Sequence, residues 1–437
     1  MSEITQPQSS GPPGTGASDD DRSNPSRPGM IALPPEQGRR EGTALCLSGG
    51  GFRASLFHLG ALRRLHEAGI LQRVRTISSV SGGSILAGYL AGLMIKMGIT
   101  QGPMRFYDWE TDVAQGFRTI AGRDLRTWPV LAHILWNWAF PGPRVRHMVR
   151  RYENRVTPRL IGELPASPEF IFCATDMVFG ANWEFSRVRC GDWLTGYTHE
   201  CGDWPIAMAV AASACFPPLF GPMPLKVSGA GLNHGGYRGA DRDQLCRNLS
   251  LSDGGVYDNM ALEPAWKEHE YVLVSDCGAP FQSQIAGDYL SRLMRYTSVI
   301  MNQAAAMRKR AFFSDISEKQ PQPCRRYKGA YWGIAGSVQR YKSPGDTLTG
   351  YSPELVDEVI DRVRTDLDRF TMAEMCVLEN HGYLVASAVL SCRRPELIAP
   401  GSPPAQPPHP EWMDEARVRR EMRDSHKRFS LRRLLGR

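Results

Sequence analysis

The sequence predicts an α/β fold: a mostly parallel sheet covered by helices on both faces, with a helical insertion and with disordered and helical tails. Three observations lead there. Thr43–Ser48 is an apolar, strand-like run that turns at Gly49-Gly50-Gly51-Phe52-Arg53 and continues as a helical pattern from Ala54. The plan repeats at once with Thr76–Val80, then Ser81-Gly82-Gly83, then the apolar helix Ser84–Met94. Further short apolar runs follow at Phe170–Thr175, Leu249–Ser252, Tyr271–Ser275 and Tyr331–Ile334. Strand–turn–helix twice in succession is the pattern of parallel strands joined by crossover helices. It sets two helix N-termini side by side at one sheet edge, one offering bare backbone N–H groups and the other a serine.

A chain of 437 residues, 42% hydrophobic and 22% charged, is long and apolar enough to bury a large core. Its formal net charge of +7 is modest and concentrated near the C-terminus. That excess suits weak attraction to an anionic membrane and does not argue a nucleic-acid groove. The ten cysteines form no Cys-x-x-Cys pair, and Cys46, Cys173 and Cys277 sit in or beside apolar runs. The expectation is a reducing, cytoplasmic setting without a disulfide framework. Residues near Met1 contain no apolar h-region, so an ordinary secretory signal is not expected, although a non-classical route stays open. The longest apolar run, Ile85–Ile95, is shorter than the ~20 residues a membrane span needs.

Taken in order, residues 1–40 are rich in Ser, Pro, Gly and Asp and poor in aliphatic side chains. They cannot bury enough surface to offset ordering and read as a disordered tail. A catalytic domain is expected over 41–398. Gly69 closes the first helix as a C′ glycine would. Within the domain, 102–168 is a Trp- and Arg-rich insertion containing Trp109, Trp128, Trp136, Trp138 and Phe140. It reads as a helical cap packed on the core, or as an acyl-chain pocket or membrane-facing lid, and these are compatible. Cys190, His199 and Cys201 stand near one another without the spacing of a standard zinc site, so loops and a hairpin are preferred. Pro205–Cys215 is a small-residue helix ending at Pro217-Pro218. A Pro-rich linker spans 399–410, and 411–437 reads as a basic helix, either solvated or lying on an anionic membrane with its arginine stems snorkelling.

The chemistry begins at Ser81. A serine between strand and helix, with small residues two before (Ser79) and two after (Gly83), describes a nucleophile elbow. Ser84 fits less well because Leu86 stands two residues after it. Gly49, Gly50 and Gly51 let the backbone turn N–H groups toward developing negative charge, where each donor contributes about 3 kcal/mol in the transition state. Gly49-x-Gly51-x-x-Ala54 also satisfies a dinucleotide fingerprint, but the next strand ends Ser78-Ser79-Val80 without the acid a ribose needs. Asp253, opening Asp253-Gly254-Gly255 after a short strand, is the candidate base, since a carboxylate held near the serine and partly desolvated has a raised pKa. A triad using His269 or His381 after Ser81 and Asp253 matches the α/β-hydrolase chain order, although His269 sits in a polar run and reads as a surface residue. A membrane-bound scaffold with a vestigial site is the alternative from another class.

Gly49-Gly50-Gly51-Phe52-Arg53, Ser79-Val80-Ser81-Gly82-Gly83, Ala212-Ser213 ahead of Pro217, and Asp253-Gly254-Gly255 followed by Asn259 together resemble the patatin-like phospholipases, with some similarity to the cytosolic phospholipase catalytic domain. The resemblance spans roughly residues 42–391. It implies lipid acyl hydrolysis of phospholipase A or lysophospholipase type by a Ser81–Asp253 dyad, without cofactor or metal. It also implies an oxyanion hole at Gly49, Gly50 and Gly51, assisted by Arg53, a phospholipid or other acyl-lipid substrate, and peripheral membrane contact. Ser79 departs from the patatin glycine. No counterpart of the calcium-binding membrane module of the cytosolic enzymes is visible.

Overall fold

The computed structural model describes residues 40–125, 143–217, 220–227, 231–278, 289–317, 327–342 and 347–427. The expected disordered tail up to residue 39, the insertion residues Trp128, Trp136, Trp138 and Phe140, and residues 428–437 lie outside these.

At the centre stands β1 (Thr43–Leu47), buried at every residue. Such a strand must be apolar on both faces, which is why Thr43–Leu47 does not alternate. β2 (Val74–Ser79) pairs with it in parallel on one side, and β9 (Tyr271–Asp276) on the other. β10 (Lys328–Gly333) adds outside β9 and β3 (Glu169–Asp176) outside β2, all parallel. Beyond β3 the sheet turns antiparallel through β4 (Asn182–Phe185), β5 (Cys190–Asp192) and β6 (Gly196–Thr198). The mostly parallel, helix-covered sheet expected from the sequence is the one observed.

One detail of β3 decides where the chemistry sits. Along one edge β3 meets β2 only from Glu169 to Phe172. Past that point β8 (Ser250–Asp253), flanked by the short β7 (Met223–Pro224), pairs antiparallel with Ala174–Asp176. β8 therefore continues the place that β2 vacates, and its last residue, opposite Ala174, arrives just beyond the carboxyl end of β2.

Helix α1 (Gly51–Glu67) follows β1, and α2 (Gly82–Lys96) follows β2. α1 is crossed by a helix that is buried from Ala373 to Leu390 within Met372–Arg393. At the crossing the backbones touch. A Cβ on Gly60 would stand 1.9 Å from Glu379 O, and one on Gly382 would stand 1.9 Å from Phe57 O. Only glycine fits such an approach.

Parts of the described insertion pack inward, although Tyr107 is exposed. Trp109 is buried against His66 and Phe106, and Arg118 is clamped between Glu110 at 2.6 Å and Glu379 at 2.7 Å. Where they are described, the Pro-rich linker expected at 399–410 and the basic helix expected at 411–437 lie against the body. Ala399 N–H donates to Ala68 O and His409 N–H to Asn380 Oδ1, so the Pro-rich stretch is fastened to the body. The helix after it covers only Glu415–Glu421, and Trp412, Val418 and Met422 are buried in the main core. The arginines there dominate the composition, but the few apolar residues dictate the packing. Cys190 and Cys201 lie by the β5–β6 hairpin, both turned toward Ser186 O, while His199 bonds Val188 O. Among the described residues the set that could hold a metal is Cys376, His409 and Glu411 instead.

Candidate active site

Ser81 opens α2 with φ 51° and ψ −115°. A non-glycine residue held there costs about 1–3 kcal/mol, a strain that surrounding structure must over-determine. Three bonds do so. Val80 N–H donates to Leu47 O at 3.0 Å, Gly83 N–H to Ser48 O at 3.1 Å, and Ser81 N–H to Ser213 Oγ at 3.0 Å. Gly82 lies so close to the oxyanion turn that a Cβ would meet Gly51 O at 2.1 Å.

Ser213 is the residue that sequence reasoning undervalued. Its hydroxyl donates to Cys173 O at 2.6 Å, accepts from Ser81 N–H, and lies 2.8 Å from Ser84 Oγ. Ser84 Oγ donates to Ser79 Oγ at 3.0 Å, and Ser79 Oγ donates to Ile171 O at 3.3 Å. Ser79, the residue in place of the usual glycine, is thus one link in a buried hydroxyl chain. Ser84 is spent in the same chain and is fully buried. Replacing Ser213 by alanine should leave the Ser81 amide unpaired and weaken turnover by roughly tenfold, the equivalent of about 1.4 kcal/mol. Steady-state kinetics with circular dichroism checks this, and wild-type turnover in Ser213→Ala would refute it.

Asp253 is 1% exposed. Its amide donates to Cys215 O at 3.1 Å, and its carbonyl accepts from Thr175 Oγ1 at 2.8 Å, fixing the end of β8. Oδ1 accepts from Gly255 N–H at 2.8 Å. Among the described residues Oδ2 is buried without a close hydrogen-bond partner, and the Ser81 hydroxyl lies near enough to stabilise the anion. Burial pushes the Asp253 carboxyl up to about 7, against the opposing pull of the Gly255 amide and the Ser81 hydroxyl. A carboxylate poised near neutrality is suited to taking a proton and returning it.

In the triple-glycine turn Gly50 has φ 147° and Gly51 φ 60°. A side chain on Gly51 would strike Asp366 O at 2.5 Å. Among the described residues the amides of Gly50 and Gly51 have no hydrogen-bond partner. Two members of the expected oxyanion hole are committed elsewhere. Gly49 N–H donates to Asn259 O at 3.0 Å. The Arg53 guanidinium is buried and donates to Val363 O at 3.0 Å, Asp361 O at 3.2 Å and Cys277 O at 2.8 Å. Arg53 braces the loops under the turn instead of facing a substrate; no spacing in the sequence distinguishes these roles.

Gly50, Gly51, Ser81 and Asp253 line one cavity of about 620 Å³. Ala214, Phe216, Phe220, Met260 and Ile334 supply apolar wall, and Asp276, Lys309 and Arg340 stand along another part. Burial opposes the Asp276 charge, but the Lys309 ion pair at 2.9 Å and the Tyr331 hydroxyl donating at 2.6 Å hold its carboxyl below the usual range. No histidine lines the cavity among the described residues. His269 is buried, not at the surface as its polar run suggested, and bonds Thr76 Oγ1 and Ala265 O. His381 bonds Ile334 O at 2.7 Å, and burial lowers its pKa to about 4.

Two solved structures are similar to this chain at low identity. Human GIVD cytosolic phospholipase A2 is 13% identical, with TM-score 0.46, covering 82% of this chain and 62% of that one. VipD from Legionella pneumophila is 16% identical, with TM-score 0.35, covering 82% of this chain and 67% of that one. The chain thus spans under two thirds of the length of the human phospholipase. No curated protein matches by sequence. The family model described as patatin-like phospholipase matches residues 45–266, just over half of the sequence and the part carrying the elbow, the glycine turn and Asp253. The chain belongs to the patatin-like phospholipase family.

Proposed function

We propose that this protein hydrolyses an ester bond of a phospholipid or related acyl lipid through an acyl-Ser81 intermediate, with Asp253 as base. The single observation carrying this reading is the meeting of Ser81 and a buried Asp253, whose carboxyl is pushed up to about 7, in one cavity with the Gly50 and Gly51 amides. Ser81 Oγ attacks the ester carbonyl as its proton passes to Asp253. The oxyanion rests against the Gly50 and Gly51 N–H groups. Collapse breaks the ester C–O bond, and Asp253 returns the proton to the leaving alcohol. Water then attacks the acyl-serine, giving its proton to Asp253, and the fatty acid leaves as Ser81 Oγ is reprotonated. The apolar wall around Phe216, Phe220 and Met260 suits an acyl chain.

A base of pKa about 7 works only when ionised. kcat/KM on a soluble ester should therefore rise with pH and reach half its plateau near pH 7. A flat profile between pH 5 and pH 9 would count against Asp253. Labelling by a fluorophosphonate, located at Ser81 by mass spectrometry and accompanied by fatty-acid release from phospholipid, tests the whole reading. An unlabelled Ser81 would instead favour a vestigial site.

A further inference from the structure

The helix Tyr289–Asp315 leads from β9 toward β10 and has two faces of different use. Ser298, Met301, Asn302, Ala305, Ala306 and Lys309 line the cavity. Tyr289, Leu293, Tyr296, Ile300 and Met307 are 80%, 42%, 65%, 67% and 65% exposed. At about 100° per residue, these five fall within roughly 60° of one another, and the cavity-lining set centres roughly opposite them. Phe313, also exposed, is directed elsewhere and packs on the Tyr331 ring at 5.3 Å. So many large apolar side chains in a straight solvent-facing stripe mark an interaction surface.

Charge narrows the partner. From Tyr289 to Ser314 the helix contains no Asp or Glu, but it does contain Arg292, Arg295, Arg308, Lys309 and Arg310. Arg308 and Lys309 turn inward to Asp258 and Asp276. Arg292 and Arg310 are exposed and lie on the same flank of the stripe. Aromatic and aliphatic side chains beside arginine, on a stretch of helix that carries no acid of its own, complement an anionic lipid surface better than a protein groove. No described helix is long and apolar enough to cross a membrane, so the contact would be one of a helix lying in the interface.

We propose that this helix docks flat on an anionic lipid surface, its stripe sunk to the acyl boundary and its opposite face over the cavity. This extends the lipid-hydrolase reading: the same helix would hold the protein on the membrane and form one wall of the route from bilayer to Ser81. The test uses the full chain and sedimentation with vesicles of phosphatidylcholine alone or mixed with phosphatidylglycerol. Wild type should partition to the mixed vesicles. Tyr296→Glu with Ile300→Glu should weaken that partition by about tenfold or more, while turnover of a water-soluble ester and fluorophosphonate labelling of Ser81 stay unchanged. Arg292→Gln with Arg310→Gln should reduce the preference for mixed over neutral vesicles without touching the stripe. Undiminished binding by both double variants would overturn the proposal, as would a wild type that binds neither vesicle. So would a stripe that instead mediates self-association, seen as a concentration-dependent dimer lost in Tyr296→Glu with Ile300→Glu. If the stripe variant lost labelling as well as binding, the arginine variant would decide. Vesicle binding without any labelling of wild-type Ser81 would refute the hydrolase reading and leave the docking intact.

Discussion

Ser81→Ala is expected to reduce fatty-acid release by on the order of 10³-fold or more while the far-ultraviolet spectrum stays that of wild type. The substitution removes only the hydroxyl, and the Ser81 bond that holds the elbow is made by the backbone amide. Asp253→Asn should be comparably inactive for a different reason. An amide of the same shape can still accept from Gly255 N–H, but it cannot take a proton from Ser81. That variant has a second readout. Asp253 in the folded protein holds its proton up to about pH 7, whereas the unfolded carboxyl loses it near 3.8. Between those values the folded state binds more protons, so this group's contribution to stability declines as pH rises. Asp253→Asn removes that term and should unfold at no lower temperature than wild type at pH 8. Retention of more than about a tenth of wild-type turnover by either variant would rule out the dyad.

Gly60→Ala and Gly382→Ala should each be strongly destabilising, costing about 3 kcal/mol or more. In each case the new Cβ would stand 1.9 Å from a carbonyl oxygen of the other helix, and backbone cannot yield as a flexible side chain can. The helices must separate, and α1 begins at the glycine turn that carries the candidate oxyanion donors. Activity should therefore fall with stability. Urea denaturation gives the measurement: a lower midpoint at unchanged slope for both variants. Gly221→Ala is the control, since a Cβ there meets none of the described residues within 4 Å, and it should change stability by no more than about 0.5 kcal/mol. A midpoint for Gly382→Ala equal to that of the control would mean that the two helices do not cross as described.

The parts legible in the sequence were those encoded locally. A strand, three glycines and a helix are contiguous, as are a strand, a serine and a helix, and both units fold as written. What escaped was set by partners far along the chain. Gly49 looks like its two neighbours until Asn259 O is placed against its amide. Arg53 looks like an anion binder until Cys277, Val363 and Asp361 offer it carbonyls. His269 lies in a polar run yet is buried, because Thr76 and Ala265 supply both ring nitrogens with partners. The helix Met372–Arg393 gave little signal because a helix buried on all sides has no polar face to mark its period. The C-terminal segment misled in the opposite sense, its arginines outnumbering the three apolar side chains that seat it.

The turn that carries Gly50 and Gly51 leans on chain made much later. Phe52 N–H is held by Asp366 O, and the arginine beneath it by Val363 O. A growing polypeptide thus displays its serine long before Asp253 exists, and the bend facing that serine has no floor until synthesis has passed Asp366. The candidate oxyanion turn therefore takes its final shape only after Asp366 has been made, well after both Ser81 and Asp253.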